Sequence, residues 1–518
     1  MKTQPVFKRS GILMILLLIA ASVWIMGAVN ATPATETVPD ANNGDGPGGV
    51  GATNGSSSLE LWLNAGAGTF SDTGCTNPQI TNGGVVSCWQ DQSGNGNDVS
   101  RVIGPQYRNN AAESLNGQPV LDFMGTAYLE RDITYADVDF TIFAVAVPSA
   151  SMAEWDSIFS THHSPYIPNS FQLDVGGSRD GCTGQFGLFV NDNDAAIRLC
   201  NSNYNAGPKI LTYRWDSAAV STWHNGSLGN SYSSATFNPG FDLFKIGVNR
   251  GDNQPWPNDI AEEIVFWMGL PGVERLLVEN YLQAKYNDST VNNLTIANDV
   301  YDGDMTINGD FDLNVAGIGQ AGGVQHSQTH AAGMIIVDNT FLQDDGDWLL
   351  FGHNTVANDN TTADVPTSGD WDGINDLRWV RSFYIDVTDA IANGGTVNII
   401  FDFSEGGMDN NGTVPAGNVN NYRLLKRSSA NGPFSDIATA TAIAGDQVQF
   451  LNVDVSLLDS NFTLGTIDAP SSPVAIKLQS IEAQKNVGTN DFLLYALLGV
   501  LGLLVLAALI LWRSTPRG

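Results

Sequence analysis

The stretch Ile260-Ala261-Glu262-Glu263-Ile264-Val265-Phe266-Trp267, with the residues that follow it, decides the fold class. It is an apolar-rich run of strand length, and Pro271 can open a helix directly after it. Glu274 in the first turn of that helix and Lys285 in its last turn both match the helix dipole. One helix face is apolar at i, i+3, i+4 spacing, through Val273, Leu276, Leu277, Tyr281 and Ala284. The sequence therefore predicts a strand followed at once by an amphipathic helix.

The sequence before this unit, from residue 58, is a series of short apolar-rich runs separated by Gly, Asn, Asp and Pro clusters. Asn225-Gly226 is a tight-turn signal between two of its segments. Many short strands with turn signals between them favour a β-sandwich or barrel over residues 58–287. The runs are Leu59–Leu63, Val120–Phe123, Phe140–Val147, Phe171–Val175, Phe186–Val190, Ile210–Trp215 and Phe241–Val248.

The sequence after the helix also consists of short apolar-rich runs separated by turn residues, but it contains no cysteine. It predicts a second β-sandwich over residues 290–468, so that the fold class is all-β with two sandwich domains. Its candidate strands are Gly333–Val337, Trp348–Gly352, Leu377–Val387, Val397–Phe403, Tyr422–Arg427, Val448–Val455 and Phe462–Ile467.

The N-terminus has the pattern of a secretory signal peptide over residues 1–31. A basic start and an apolar run from Gly11 to Ala28 precede Val29-Asn30-Ala31, which offers the small-x-small pattern of a cleavage site. An uncleaved signal anchor is the alternative. Residues 32–57 are rich in Gly, Pro, Thr and Asn and have almost nothing to bury, so they predict a flexible leader.

The C-terminus predicts a membrane anchor. Phe492–Trp512 carries no charge, and its length of about 20 residues is what a helix needs to cross a bilayer. Two arginines lie in the stub at residues 513–518, so the positive-inside tendency places the stub in the cytoplasm and the stalk at residues 469–491 outside. A sorting signal that is cut off is the alternative, although no LPxTG-like motif precedes the span. The sequence thus predicts a single-pass cell-membrane protein with a large extracellular N-terminal region.

The chain is strongly acidic. It carries 54 Asp and Glu against 23 Lys and Arg, a formal net charge of −31. The region between the predicted signal peptide and the apolar span holds all of the acidic residues and 18 of the basic ones, a net charge of −36. A field of this sign repels nucleic acid and anionic lipid, and it suits solubility, tolerance of high salt or cation binding. We therefore expect no nucleic-acid partner.

The chain has four cysteines: Cys75, Cys88, Cys182 and Cys200. An even number in an exported protein favours disulfides. Pairing of Cys75 with Cys88 and of Cys182 with Cys200 is the simplest of three connectivities, and each bond would stabilise a loop by about 2–4 kcal/mol. A zinc site is not favoured, because the chain contains no CxxC pair.

Six segments between residues 58 and 286 fall in the order of a known family. They are Leu59–Ala65, residues 88–98 (CWQDQSGNGND), residues 116–123 (NGQPVLDF), Phe140–Val147, residues 223–226 (WHNG), and the strand and helix of residues 260–286. Together they resemble the laminin-G-like, concanavalin-A-like jelly rolls of bacterial cell-surface proteins. Residues 315–319, 377–381 and 462–466 look like a β-domain that often follows such jelly rolls, a resemblance that implies architecture and no activity.

Concanavalin-A-like folds host both lectins and glycanases, so the fold cannot choose between them. Glycanases on this scaffold use an E-x-D-x-x-E strand, which Glu154-Trp155-Asp156 begins and Phe159 interrupts. The adjacent Glu262 and Glu263 would point to opposite faces of a strand. The sequence therefore does not predict an enzyme, and a glycan-degrading hydrolase stays an alternative.

An oxygen-rich loop is formed by Asp91, Asn95, Asn97 and Asp98. One reading is a calcium site, because calcium prefers six to eight carboxylate and carbonyl oxygens. The other is a turn capped by Asx side chains. Calcium is thus a candidate cofactor.

Trp256, between Pro255 and Pro257 in a polar loop, is the candidate for stacking on a sugar ring. Asp252, Asn253 and Asp259 flank it and complete the predicted ligand site. We therefore expect a membrane-anchored extracellular binding or adhesion protein whose jelly-roll loops recognise carbohydrate or an extracellular protein. A structural cell-envelope role without a small ligand is the other alternative.

Overall fold

The computed structural model describes residues 44–474, apart from residues 137–138, 150–151, 162–169, 177–181, 192–195, 204–206, 218, 234–238, 289, 291 and 409–416. Within these residues the chain is all-β with one α-helix, which confirms the predicted fold class. None of the helices described is long and apolar enough to cross a membrane. The predicted signal peptide (1–31), the apolar span Phe492–Trp512 and the stub lie outside the described residues.

The N-terminal sandwich is built from seventeen strands among the described residues. They are β1 (Leu59–Asn64), β2 (Thr69–Phe70), β3 (Cys88–Trp89), β4 (Val99–Ser100), β5 (Gln106–Arg108), β6 (Val120–Asp122), β7 (Leu129–Ala136), β8 (Phe140–Ala146), β9 (Ser157–Thr161), β10 (Phe171–Val175), β11 (Gln185–Asn191), β12 (Ala196–Asn203), β13 (Lys209–Trp215), β14 (Ala219–His224), β15 (Ser227–Ser233), β16 (Gly240–Ile246) and β17 (Asp259–Phe266).

These strands form two antiparallel sheets. Sheet I has the order β15-β14-β13-β8-β17-β6-β5, with β1 beside β17. Sheet II has the order β12-β11-β10-β9-β16-β7-β4-β3-β2. One continuous apolar core contains residues of both sheets, including Phe140 and Val265 from sheet I and Phe159 and Phe244 from sheet II. The two sheets therefore pack face to face as a sandwich.

The helix α1 (Gly272–Tyr286) follows β17 directly, as predicted, and Pro271 precedes its first residue. It lies on the outer face of sheet I, where Leu277 and Tyr281 join a second apolar cluster with Ile264 and Phe266 of β17. Every residue of β8 is buried, because sheet I is covered by sheet II on one face and by α1 on the other.

The second sandwich begins after this helix. Its described strands are β18 (Leu313–Ala321), β19 (Val324–His326), β20 (Gln328–Ala331), β21 (Met334–Asp338), β22 (Trp348–His353), β23 (Asn360–Thr361), β24 (Leu377–Trp379), β25 (Phe383–Thr388), β26 (Thr396–Asp402), β27 (Tyr422–Arg427), β28 (Ser435–Thr439), β29 (Ala442–Ala444), β30 (Gln447–Asp454) and β31 (Ser460–Thr466), with 3-10 turns at Val419–Asn421 and Val455–Leu457. Sheet III has the order β19-β18-β22-β25-β31-β24-β23, with β27 beside β31 and β28 beside β27. Sheet IV has the order β20-β21-β26-β30-β29.

The helix α1 joins the two sandwiches. Its cluster of buried residues extends into sheet III through Val315, Trp348 and Leu350. The face of α1 toward sheet I and the face toward sheet III are thus both buried. Thirteen residues of α1 are buried, and several of these are polar. The helix therefore acts as a shared layer between the two domains.

Residues 44–57, here called the strap, differ from the predicted flexible leader. The strap packs between the two sandwiches: Gly48 pairs with Ala316 of β18, and Val50 joins the cluster around α1. The backbone N–H of His330 donates to the Gly44 carbonyl oxygen over 3.2 Å. The glycine-rich composition suggested flexibility because glycine has no side chain to bury. Glycine also lets the backbone approach its neighbours closely, and this is how the strap packs.

Candidate functional site

The outer face of sheet II, which points away from sheet I, carries polar side chains. The sequence of β10 explains why: Phe171, Leu173 and Val175 lie in the sandwich core, so the alternating Gln172 and Asp174 point outward. The same alternation in β16 puts Phe244 and Ile246 in the core and Lys245 outward. Sheet II is therefore apolar inside and polar outside at these strands.

The strand register lines these outward residues up across the sheet. Phe189 pairs with Gln172, Gln172 with Ser160, Ser160 with Lys245, and Lys245 with Glu130. Directly opposite residues on one face have Cβ atoms about 5 Å apart. These five residues, here called the polar row, therefore place an aromatic ring, an amide, a hydroxyl, an ammonium and a carboxylate side by side.

The centre of the polar row is buried. Gln172 is only 4% exposed and Ser160 is fully buried. The Ser160 hydroxyl donates to the Val248 carbonyl oxygen over 2.8 Å, and Gln172 Nε2 donates to the Asp174 carboxylate. Gln172 Oε1, in contrast, accepts no hydrogen bond within the described residues. Because an unsatisfied buried acceptor costs about 1–3 kcal/mol, this oxygen is a position at which a ligand donor would be favourable.

The loop of residues 249–258 lies next to the polar row. Lys245 Nζ is 2.5 Å from Asp252 Oδ1, and the Arg250 guanidinium lies 4.5 Å from the centre of the Phe189 ring. Asn249 organises the loop, because its side-chain oxygen accepts from the backbone N–H groups of Asn253 and Gln254. Of the predicted ligand residues, Asp252 therefore contacts the polar row, and Asn253 follows it in the same loop.

Trp256 does not have the predicted position. Its side chain is 0% exposed, its ring lies 6.3 Å from that of Phe186, and its Nε1 donates to the Asp259 carbonyl oxygen over 3.2 Å. The prediction that Trp256 stacks on a sugar ring is wrong, because the indole is buried in the sandwich core. Trp256 anchors the 249–258 loop from below.

Asp259, the fourth predicted ligand residue, lies on the other sheet. It begins β17 and pairs with Asp122 of β6, whose side chain points to the outer face of sheet I. Arg108 donates to Asp122 Oδ2 through Nε and Nη2, over 3.2 and 2.8 Å. Burial, and then the charge of Asp122, raise the pKa of Asp259 to about 7. The structure thus separates Asp259 from the polar row and gives it a carboxylate neighbour.

A tight turn at residues 153–156 places a tryptophan, Trp155, close in sequence to the contact with the 249–258 loop. Trp155 is half-buried and has a left-handed backbone with φ of 71°, which is rare for a bulky residue. The neighbouring Ser157 forms a bridge with Pro255 of the 249–258 loop. Burial raises the pKa of Asp156 to about 6, although the Ala153 N–H that it accepts acts in the opposite direction. Strain of this kind often marks functional sites.

The predicted calcium loop is a capped turn. Asp91 Oδ1 accepts from the backbone N–H groups of Trp62 and Ser93, and Oδ2 accepts from Asn97 N and the Ser93 hydroxyl, over 2.7–2.9 Å. Asp98 Oδ1 accepts from Asp91 N. These oxygens already bind protein donors, so the alternative reading, a turn built by Asx side chains, is the one that the geometry favours.

The amide side chains of that loop also form hydrogen bonds within the protein. Asn95 Nδ2 donates to the Leu59 carbonyl oxygen over 2.8 Å, and Asn97 Nδ2 donates to the Glu60 carbonyl oxygen over 3.0 Å. The loop is therefore fastened to β1, and it holds that strand in the sandwich.

The cysteines form two disulfides, Cys75–Cys88 and Cys182–Cys200, each with a Cα–Cα distance of 5.5 Å. This confirms the predicted pairing, in which each cysteine bonds to the one nearest to it in the sequence. Cys75, Cys88 and Asp98 offer atoms close enough to share a metal ion, but both sulfurs are bonded to each other. A disulfide has no thiolate to give to a metal.

Sequence reasoning did not single out the polar row. Its signal was present in Phe171-Gln172-Leu173-Asp174-Val175, a strict alternation that predicts one polar strand face. The register that brings Gln172, Ser160 and Lys245 together could not be read from the sequence, because these residues lie up to 85 positions apart.

No family model and no curated protein matches this chain. Solved structures match it at low similarity. Domain 4 of AbnA, a GH43 extracellular arabinanase from Geobacillus stearothermophilus in complex with arabinotriose, is 15% identical, with 43% of this chain and 97% of that chain covered and a TM-score of 0.30. The CBM40 of Ruminococcus gnavus IT-sialidase bound to α2,3-sialyllactose is 15% identical, with 27% and 80% covered and a TM-score of 0.23.

A SAP-like pentraxin from Limulus polyphemus is 14% identical, with 30% and 78% covered and a TM-score of 0.24. At these scores a functional assignment has to rest on the residues of this chain. The laminin-G-like resemblance stays a prediction.

Proposed function

We propose that this chain is a membrane-anchored extracellular protein that binds carbohydrate on the outer face of sheet II. The observation that carries the proposal is Gln172 Oε1, a buried acceptor without a partner in the described part of the chain. It lies between the hydroxyl of Ser160 and the ring of Phe189 in the strand register.

Carbohydrate suits this set of groups. A sugar has hydroxyl donors, which could satisfy Gln172 Oε1, and an apolar ring face, which could pack on Phe189. A site with buried polar groups discriminates strongly in favour of a ligand that can hydrogen-bond them, because any other ligand leaves them unpaired. The half-buried Trp155 and the amides of the 249–258 loop supply further surface of the same character.

The location outside the cell is part of the proposal and rests on the two apolar termini. The predicted signal peptide at residues 1–31 would export the chain, and the span Phe492–Trp512 would retain it in the cell membrane. Mass spectrometry of the mature C-terminus in washed membranes tests this. A C-terminus before Phe492 would contradict the anchor.

A glycan array with the full-length protein tests the binding function. The test variant is Gln172→Met, which keeps the length of the side chain and removes its oxygen. The control is Gln449→Met on sheet IV, which makes the same chemical change in the second sandwich. The proposal predicts that the wild type binds a defined set of glycans, that Gln172→Met binds them at least tenfold more weakly, and that Gln449→Met binds them normally. Failure of the wild type to bind any glycan would sink the proposal.

A hydrolase is the second candidate, and the Asp122–Asp259 pair favours it. Cross-strand neighbours place the two carboxyl groups close together, and their environments differ: Arg108 binds Asp122, whereas the pKa of Asp259 is raised to about 7. Glycoside hydrolysis uses two carboxyl groups in different environments, one of which acts as the general acid when its pKa is raised. Release of reducing sugar from array ligands, abolished by Asp259→Asn, would support this activity. No release by the wild type would exclude it for those ligands.

A further inference from the structure

The ion pair between Lys245 and Asp252 is asymmetric. The Lys245 side chain is 6% exposed, whereas the Asp252 side chain is 46% exposed. Removing a charge from water is costly, so the buried ammonium needs an anion beside it. The exposed carboxylate does not need the ammonium, because water can solvate it. The lysine is thus the fixed member of the pair and the aspartate the exchangeable one.

Asp252 lies in a tight turn of the 249–258 loop. Asp252 has a φ of 59° in the turn that its N–H closes onto the Asn249 carbonyl oxygen. Aspartate tolerates this left-handed conformation better than most residues other than glycine. The turn holds the Asp252 carboxylate at an exposed position, where water can solvate it.

The surroundings of Lys245 match a sugar that carries an anion. Its neighbours in the polar row are Ser160 and the carboxylate Glu130, and Gln172, whose Oε1 accepts no hydrogen bond from the described residues, follows Ser160. Arg250, on the same loop as Asp252, is a second cation and lies at the Phe189 end of the row. Lys245 could bind an anionic group of a sugar while the polar groups along the row bind its hydroxyls.

We propose that the ligand of the polar row is an acidic sugar whose anionic group replaces Asp252 on Lys245. This inference rests on the proposed function, carbohydrate binding at the polar row, and adds the chemical class of the ligand. The anion is a carboxylate, as in uronic and sialic acids, or a sulfate ester. Exchange of one anion for another keeps the buried ammonium paired throughout, so no step leaves an isolated charge.

The experiment compares matched glycans and matched variants of the full-length protein. The array carries neutral oligosaccharides together with oligosaccharides that contain uronic acid, sialic acid or sulfate. The variants are Asp252→Asn, which removes the competing anion, Lys245→Met, which removes the cation, and Lys245→Arg, which keeps it. Asp216→Asn is the control, because it breaks a more exposed ion pair with Arg214 (2.8 Å) at the end of β13, on sheet I. Thermal melting checks that each variant is folded.

The inference predicts that the wild type prefers acidic glycans and that Asp252→Asn binds them at least tenfold more tightly. Lys245→Met loses the preference, Lys245→Arg retains it, and Asp216→Asn matches the wild type. If Lys245→Met does not fold, Asp252→Asn and Lys245→Arg still decide the question. Preference for one acidic class over the other identifies carboxylate or sulfate.

Equal binding of neutral and acidic glycans, unchanged in Asp252→Asn, would overturn the inference and leave carbohydrate binding intact. Absence of binding to every glycan by the wild type would overturn the proposed function and the inference together. The two failures are therefore distinguishable.

Discussion

Lys285 Nζ of α1 lies 2.8 Å from Glu262 Oε2 of β17, and both side chains are buried. Glu262 accepts three further hydrogen bonds, from Trp62 Nε1, Tyr281 OH and Tyr286 OH, over 2.6–2.9 Å. Every oxygen of this carboxylate is thus paired, and its partners come from β1 and from α1. The pair fastens the helix to sheet I at the layer that the two sandwiches share.

Lys285→Met should destabilise the protein by about 3–5 kcal/mol, because it leaves the Glu262 carboxylate buried without its counter-charge. The double variant Lys285→Met with Glu262→Gln should recover most of that loss, since the amide is neutral and still accepts hydrogen bonds. Chemical denaturation measures both. Equal stability of Lys285→Met and the wild type would mean that the ion pair does not hold the helix.

Glu263 gives the stability of the protein a pH dependence. It is fully buried, neither carboxyl oxygen has a hydrogen-bond partner among the described residues, and burial raises its pKa well above the ordinary value. A raised folded-state pKa contributes stability at low pH that is lost as the pH rises above the ordinary glutamate value of about 4.5. Stability should therefore fall by up to about 1.4 kcal/mol per pH unit from this group.

Glu263→Gln should remove this slope, because an amide does not titrate. The measurement is the free energy of unfolding of both proteins between pH 4 and pH 8. The difference between variant and wild type should shift steadily in favour of the variant as the pH rises. A difference that is constant across this range would contradict the assignment of a protonated Glu263.

Gly48→Ala should release the strap. Gly48 has a φ of 72°, and an added Cβ would lie 2.7 Å from backbone atoms of Leu277 in α1. Gly96→Ala is the matched control, because Gly96 has the same φ of 72° and nothing within 4 Å of an added Cβ. Gly48→Ala should cost about 1–3 kcal/mol more than the control, and hydrogen exchange in residues 44–57 should accelerate. Equal effects of the two variants would show that the close approach to Leu277 is unimportant.

Trp256→Ala should lower the stability of the protein, and any loss of glycan binding should be a consequence of that destabilisation. Removal of a buried tryptophan typically costs about 3–5 kcal/mol, and Trp256 anchors the 249–258 loop. Trp256→Phe retains an aromatic ring and should keep most of the stability and the glycan binding. Thermal melting and the glycan array measure the two properties. Loss of binding in Trp256→Phe with unchanged melting would restore a direct ligand role for Trp256.

The sequence was informative where the signal is local. The helix after β17 was predictable because its apolar residues recur at helical spacing, with Glu274 and Lys285 at the expected ends. The disulfides were predictable because each joins cysteines close in sequence, with separations of 13 and 18 residues. The all-β class followed from short apolar runs between turn residues.

Three features depend on contacts between distant residues and could not be predicted. The strap has the composition of a flexible segment, and it is ordered by sheet III and α1. Leu377–Val387 was predicted as one strand and is split into β24 and β25, where Arg381 turns to donate to the Ala332 carbonyl oxygen over 2.7 Å. The direction of the Trp256 ring depends on the core beneath it.

A crystal structure of the protein with a glycan selected on the array tests the central claim most directly. The account predicts sugar density on the outer face of sheet II, with a sugar hydroxyl within hydrogen-bond distance, about 3 Å, of Gln172 Oε1. Sugar density elsewhere, for example beside Asp122 and Asp259 on sheet I, with no ligand atom near Gln172, would contradict it.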